Sequence, residues 1–229
     1  PLSLDMKVAS DMDNERGSSA YHFATLYGQK GGLMCPLLKN SVSSITVLLI
    51  FAFASGCALT RERAQVSYIP QTGVAKIEKA SVSSVTVEVL DSRTVKDKVS
   101  TKKNSYGMEM AAITLGEDAT ALLKRGIEAE LENRGFPFGV GNALVLVELT
   151  KFYNDFKVGF FAGDAVAELL MTVQVKDVTK AILYSKNIVG GGLNSNVMLA
   201  SGENARIALD AALKDAIAKL FQDPQFLDS

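Results

Sequence analysis

The chain has 229 residues, 48% of them apolar, and its 24 Lys and Arg nearly balance its 25 Asp and Glu, for a net charge of -1. That length suits one large domain or two small ones, and a charge balance without basic or acidic blocks excludes a nucleic-acid partner. The rare residues exclude more: Cys35 and Cys57 are the only cysteines, His22 is the only histidine and Trp is absent, so nothing after Cys57 builds a Ser-His-Asp or Cys-His arrangement, a Cys/His zinc site or an internal disulfide.

In chain order, residues 1–33 form a loose segment containing Gly17-Ser18-Ser19 and Gly31-Gly32, read as an upstream or mis-called N-terminal extension ahead of Met34. Residues 34–56 read as a signal peptide: Lys39 supplies a positive charge, an apolar run follows, and the small residues Ala54, Ser55 and Gly56 close it. The run over 45–54 is roughly ten residues long, whereas a helix crossing the hydrocarbon core needs about 20, so a membrane span is not expected. A buried core strand is the alternative reading of the run. Behind Cys57 the chain is polar and turn-rich, and residues 57–79 are expected to form an extended tether.

Ala54-Ser55-Gly56-Cys57 resembles the lipobox of bacterial lipoproteins, with Ala54 where that motif usually has Leu. The resemblance implies that Cys57 carries a diacylglycerol and becomes the mature N-terminus. By the same likeness, Ala58 rather than Asp after the cysteine implies sorting to the outer membrane.

Residues 80–229 alternate between period-2 and period-3.6 patterns. Val85, Val87 and Val89 share one face of a strand over 82–90, with Ser84, Thr86 and Glu88 on the other. After a long polar connection, Ala119, Leu122, Leu123, Ile127 and Leu131 make the apolar face of a helix over 117–134, which Gly135 stops. Strands follow over 143–151, 166–176 and 181–189, with a turn at Asp177-Val178-Thr179-Lys180 and Gly190-Gly191-Gly192 as the expected end of the last strand. Ser201 caps a final helix over 202–221, striped by Ala205, Leu209, Ala212, Leu213, Ala216, Ile217 and Leu220. The order β-α-β-β-β-α predicts an α+β, two-layer sandwich: a mixed sheet with both helices on one face and the other face open to solvent.

The strand ending Asp91-Ser92-Arg93, the helix ending Glu130-Leu-Glu-Asn-Arg-Gly-Phe136 and the alanine-rich last helix resemble the YajG-like family of uncharacterised bacterial lipoproteins over about 57–228. The resemblance implies an outer-membrane lipoprotein facing the periplasm, with a domain similar to those of TolB's N-terminal region and the synthase activator LpoB. It brings no catalytic residues and no cofactor.

Asp91 and Arg93 are candidates for holding a carboxylate or a partner, set against a simple turn cap and ion pair. The long connection over 91–115 carries Arg93, Lys96, Lys98, Lys102 and Lys103 and reads as a solvated loop, with Lys102 and Lys103 as candidate contacts. Tyr153, Phe156, Phe160 and Phe161 surround a glycine-flanked turn. Adjacent rings at 160 and 161 cannot both be buried in one layer, so at least one is expected to face a protein partner, a second subunit or a membrane. Gly190–Gly192 and Gly135, Gly139 and Gly141 lack phosphate-loop spacing and read as turns. Glu128 and Glu132 read as ordinary solvated residues one helical turn apart.

With few catalytic residue types available, the expectation is a non-enzyme without metal or cofactor: a lipid-anchored scaffold that binds an unidentified envelope protein, alone or as a homo-oligomer. The alternative is a transport accessory carrying a small hydrophobic ligand. Cys57→Ser is expected to move the protein from the membrane pellet to the soluble fraction and to abolish processing; fractionation and mass determination of the mature N-terminus check it.

Overall fold

The computed structural model describes residues 59–78, 80, 84–138, 141–159 and 161–229. Its elements in chain order are β1 (Glu62–Ala64), β2 (Val85–Asp91), β3 (Ser100–Lys103), β4 (Glu109–Leu115), α1 (Ala119–Asn133), β5 (Ala143–Lys157), β6 (Gly163–Asp177), β7 (Ile182–Val197), α2 (Gly202–Phe221) and α3 (Pro224–Asp228). The main sheet has the order β2-β5-β6-β7, with β2 parallel to β5 and the remaining pairs antiparallel. A smaller sheet, β1-β4-β3, joins a parallel pair to a hairpin. The α+β sandwich follows the alternation: Val85, Val87, Val145, Val147, Leu149, Leu169, Met171, Val173 and Val175 are buried under the helices in one continuous core.

Asp118 caps α1 by accepting from the Thr120 and Ala121 backbone N–H groups, and Gly135 closes it at φ +96°, a conformation that glycine reaches without steric cost. Ser201 caps α2 as expected, accepting from the Asn204 N–H. The turn between β6 and β7 is held by Asp177, whose Oδ1 accepts from Thr179 N–H at 2.8 Å and Ala181 N–H at 2.9 Å.

Four local expectations are corrected. The connection over 91–115 is not an irregular solvated loop, because β3 and β4 form a hairpin within it. Ser100-Thr-Lys-Lys shows no apolar alternation, yet Ser100, Thr101 and Lys102 are buried by the second sheet. Residues 57–79 are not a free tether: from Glu62 onward the segment lies on the domain, with β1 paired to β4, Ala64 and Val66 buried, and Ile77 N–H donating to Arg134 O. Strand β5 runs to Lys157 because a bulge between Leu149 and Lys151 inserts one residue, so the buried face passes from Val145, Val147 and Leu149 to Phe152, Asn154 and Phe156.

The fourth correction is the glycine triplet, which lies inside β7 rather than at its end. A Cβ on Gly190 would come within 2.6 Å of Ala216 Cβ, and one on Gly192 within 2.6 Å of the Ala212 nitrogen and closer still to the Ala208 carbonyl oxygen. Helix α2 therefore seats its backbone directly on the strand through Ala208, Ala212 and Ala216, all fully buried. Gly191 points to the opposite face, with nothing near the place of a Cβ. Gly192→Val is expected to destabilise the domain by about 2–3 kcal/mol, roughly 5–10 °C in Tm, whereas Gly191→Thr leaves Tm unchanged or slightly raised; thermal melts of the two variants check the seating.

Candidate functional site

Several predicted contact residues are engaged within the fold. Arg93 is buried and grips Asp91 through two bonds, Nε to Oδ1 and Nη2 to Oδ2, each 2.9 Å, while its backbone N–H donates to Oδ1 at 3.1 Å. Lys96 adds a bond from Nζ to the Asp91 carbonyl. The Arg93 guanidinium holds the Asp91 carboxyl below the usual carboxylate range. Lys102 is buried and ion-paired with Glu62, whose other oxygen accepts from Gly202 N–H at 2.5 Å. Lys103 Nζ donates to Asp155 Oδ1 at 2.6 Å and to the Phe156 carbonyl at 3.1 Å. Lys102 and Lys103 hold the small sheet to β1 and β5 and do not belong to a solvated basic loop, whereas Lys96 is exposed.

The aromatic group divides. Phe156 is buried and Tyr153 half-buried, its hydroxyl 3.3 Å from Thr101 Oγ1, while Phe161 stands out from the turn between β5 and β6. Phe160 and Cys57 lie outside the described residues. Around Phe161 the structure assembles one end of the sandwich: residues 157–159, Asn104 and Ser105 of the β3–β4 turn, and Val197–Ala200 ahead of α2 line a common concave surface. Exposed at this end are Phe161 (88%), Tyr106 (88%), Met198 (83%) and Leu199 (74%), with Met108 and Val158 beside them.

A second set of exposed apolar side chains stands on the open face of the main sheet, among polar groups that include the Lys151–Glu168 ion pair and the Thr172–Asn187 hydrogen bond. Val166 pairs with Leu193 and Leu170 with Val189 across β6 and β7, and Leu90 adds to the face from β2; all but Leu170, which is half-buried, are exposed. The outer edge of β7 is covered by α2: Gly191 N–H donates to Asp215 Oδ2 at 2.8 Å and Lys219 Nζ donates to the Val189 carbonyl at 2.9 Å.

Sequence reasoning missed Glu130. It lies fully buried on α1, accepts from the Tyr68 hydroxyl at 2.6 Å and the Gln71 N–H at 2.7 Å, and is ion-paired with Arg134 one turn later. Arg134 in turn stacks on Phe221, 4.4 Å from the ring centroid. Burial, followed by the bond to Glu130, pushes the Tyr68 hydroxyl pKa well above its usual value. Every carboxylate oxygen is occupied from within, so the group staples residues 68–71 to both helices and offers no free acid or base. The i,i+4 spacing of Glu130 and Arg134 is the signal that was present in the sequence. Among the described residues no cluster of three or more His, Cys, Asp or Glu is placed to hold a metal, and no helix is long and apolar enough to cross a membrane.

A two-layer α+β domain with a largely paired polar interior and exposed apolar side chains at one end and on the open sheet defines the class. The model of a family described as uncharacterized lipoprotein matches residues 70–228, and the chain belongs to that family. This is the family to which the strand, helix and alanine patterns pointed. A crystal structure of a Xanthomonas campestris protein is similar, at 14% identity and a TM-score of 0.45, over 70% of this chain and 92% of that one. Among curated proteins no match is found.

Glu130→Ala is expected to cost about 3–5 kcal/mol, since it leaves the buried Arg134 unpaired, with chemical denaturation as the measurement. The pH dependence has a definite sign. Asp91, Asp118 and Asp177 all have folded pKa values lowered, chiefly by bonds from Arg93, Thr120 and Thr179 respectively. Their contribution is complete above the unfolded carboxylate value and is lost as pH falls through the folded one. Tm is therefore expected to stay level from about pH 8 to pH 5 and to fall below about pH 4.

Proposed function

We propose that this lipoprotein is held in the outer membrane through Cys57, faces the periplasm, and acts as a non-catalytic scaffold that binds another envelope protein across the open face of its main sheet. The observation that supports this is the composition of that face. An open antiparallel face is ordinarily polar, whereas here Leu90, Val166, Val189 and Leu193 are exposed. Cross-strand pairing sets Val166 beside Leu193 and Leu170 beside Val189, with Glu168 between the two pairs, giving apolar anchors in a polar surround of the kind that protein interfaces cover. The capped edge of β7 disfavours strand addition, so contact is made face to face.

The carrier reading draws on an apolar pocket between α3, β2 and β5, lined by Val85, Leu131, Phe136, Val145, Phe226 and Leu227. Its volume of about 170 Å³ falls below the roughly 300–1,000 Å³ of sites that enclose small ligands, which places this reading second.

Val189→Asp with Leu193→Asp in the lipidated protein tests the scaffold. Both positions are exposed, so Tm is expected to change by no more than about 2 °C, in keeping with surface substitutions. In vivo cross-linking should lose the partner recovered with the unchanged protein. A partner recovered equally with the double variant rejects the open face as the contact.

A further inference from the structure

We propose that the end of the sandwich carrying Phe161, Tyr106, Met198 and Leu199 rests on the bilayer that holds the lipid anchor, so the domain is seated on the membrane and does not swing on a leash. The proposal rests on the reading of Cys57 as the anchor and adds to it where the domain sits. The first observation is the length of chain available. Only four residues separate Cys57 from Glu62, the first residue of β1. At about 3.5 Å per residue, the anchoring sulfur's residue stays within roughly 18 Å of Glu62.

Glu62 cannot move toward the membrane independently. It pairs with Ile113 on β4, its carboxylate is ion-paired with buried Lys102, and it also accepts from Gly202 N–H at the start of α2. The second observation is direction. Because β1 runs parallel to β4, the chain leading back from Glu62 runs toward Glu109 and the β3–β4 turn. That turn, the Phe161 turn and residues 197–200 form the apolar end. The anchor is therefore paid out toward the end of the domain where Phe161, Tyr106, Met198 and Leu199 stand in solvent.

The chemistry of that end suits a headgroup boundary. Two aromatic rings with Met198, Leu199, Met108 and Val158 supply apolar area of the kind that settles at a membrane interface. The charges beside them are engaged in ion pairs: Lys103 and Lys157 share Asp155, at 2.6 and 2.5 Å, and Lys98 pairs with Glu109, which leaves one net positive charge facing the lipid. Approach to lipid therefore strips little water from unpaired ions. A protein partner is the alternative occupant of the same turn; the short reach from Cys57 favours the bilayer, and it leaves the open sheet face free for a partner.

The absence of Trp from the chain makes a clean test. Full-length lipidated protein is reconstituted in phosphatidylethanolamine and phosphatidylglycerol vesicles containing dibrominated phospholipid, with Phe161→Trp, Leu199→Trp or Val178→Trp as the sole indole. Val178 follows the far end of β6, about 46 Å along the strand from Gly163, and is equally open to water. Bromine is expected to quench the Trp at 161 and at 199 by about half or more, with a blue-shifted emission, and to leave the Trp at 178 unchanged. Flotation of the same samples reports the anchor separately. A protein that fails to float overturns the anchor and the seating together; one that floats but is quenched at 161 and 199 no more than at 178 overturns the seating alone.

Discussion

The contact on which the arrangement depends is the direct seating of α2 on β7. Gly190 and Gly192 remove two side chains from the inner face of the strand, and Ala208, Ala212 and Ala216 remove them from the helix, so backbone meets backbone where most helix–sheet pairs are separated by a side-chain layer. Close approach leaves no room for helix sliding, because each alanine lies over a glycine-shaped gap. Both ends of α2 are thereby placed. Its N-terminus brings Gly202 to Glu62 and orients the incoming chain, and its C-terminus brings Phe221 under Arg134 and against Phe226.

The buried Glu130–Arg134 pair works with that contact. Removing two charges from water is costly unless each lone pair and proton is satisfied, and here Tyr68, Gln71 and Phe221 complete the shell. The result is to convert residues 62–78 from a leash into a part of the domain. With the anchor proposed at Cys57, a chain pinned this close to it would have a restricted set of orientations on the lipid.

The distribution of surfaces fits that geometry. Polar side chains whose pairing is internal, such as Arg93 with Asp91 and Lys102 with Glu62, stabilise joints between the two sheets. Exposed apolar side chains include Phe161, Tyr106, Met198 and Leu199 at one end and Leu90, Val166, Val189 and Leu193 on the open face. Asp215 and Lys219 occupy the backbone groups of the β7 edge and so protect the sheet from adding further strands.

Local rules made much of this legible in the chain itself. Alternation named the buried faces of β2, β5 and β6, helical spacing and caps named α1 and α2, and the apolar run before a small-residue cysteine motif pointed to a lipoprotein, because each depends on residues within a few positions of one another. Tertiary structure alone decided the rest. Ser100–Lys103 became a strand because β4 pairs with its backbone while β5 and Glu62 take up its polar side chains. The bulge after Leu149 reversed the parity that would have exposed Phe152 and Phe156. Gly190 and Gly192, which read locally as a strand end, stayed in β7 because α2 lies against them. The burial of Glu130 and the docking of residues 62–78 required partners about 60 positions apart, and no periodicity records such a meeting. Where the Phe161 turn lies relative to the chain entering β1 was likewise decided by the parallel register of β1 on β4, a long-range pairing that fixes direction as well as position.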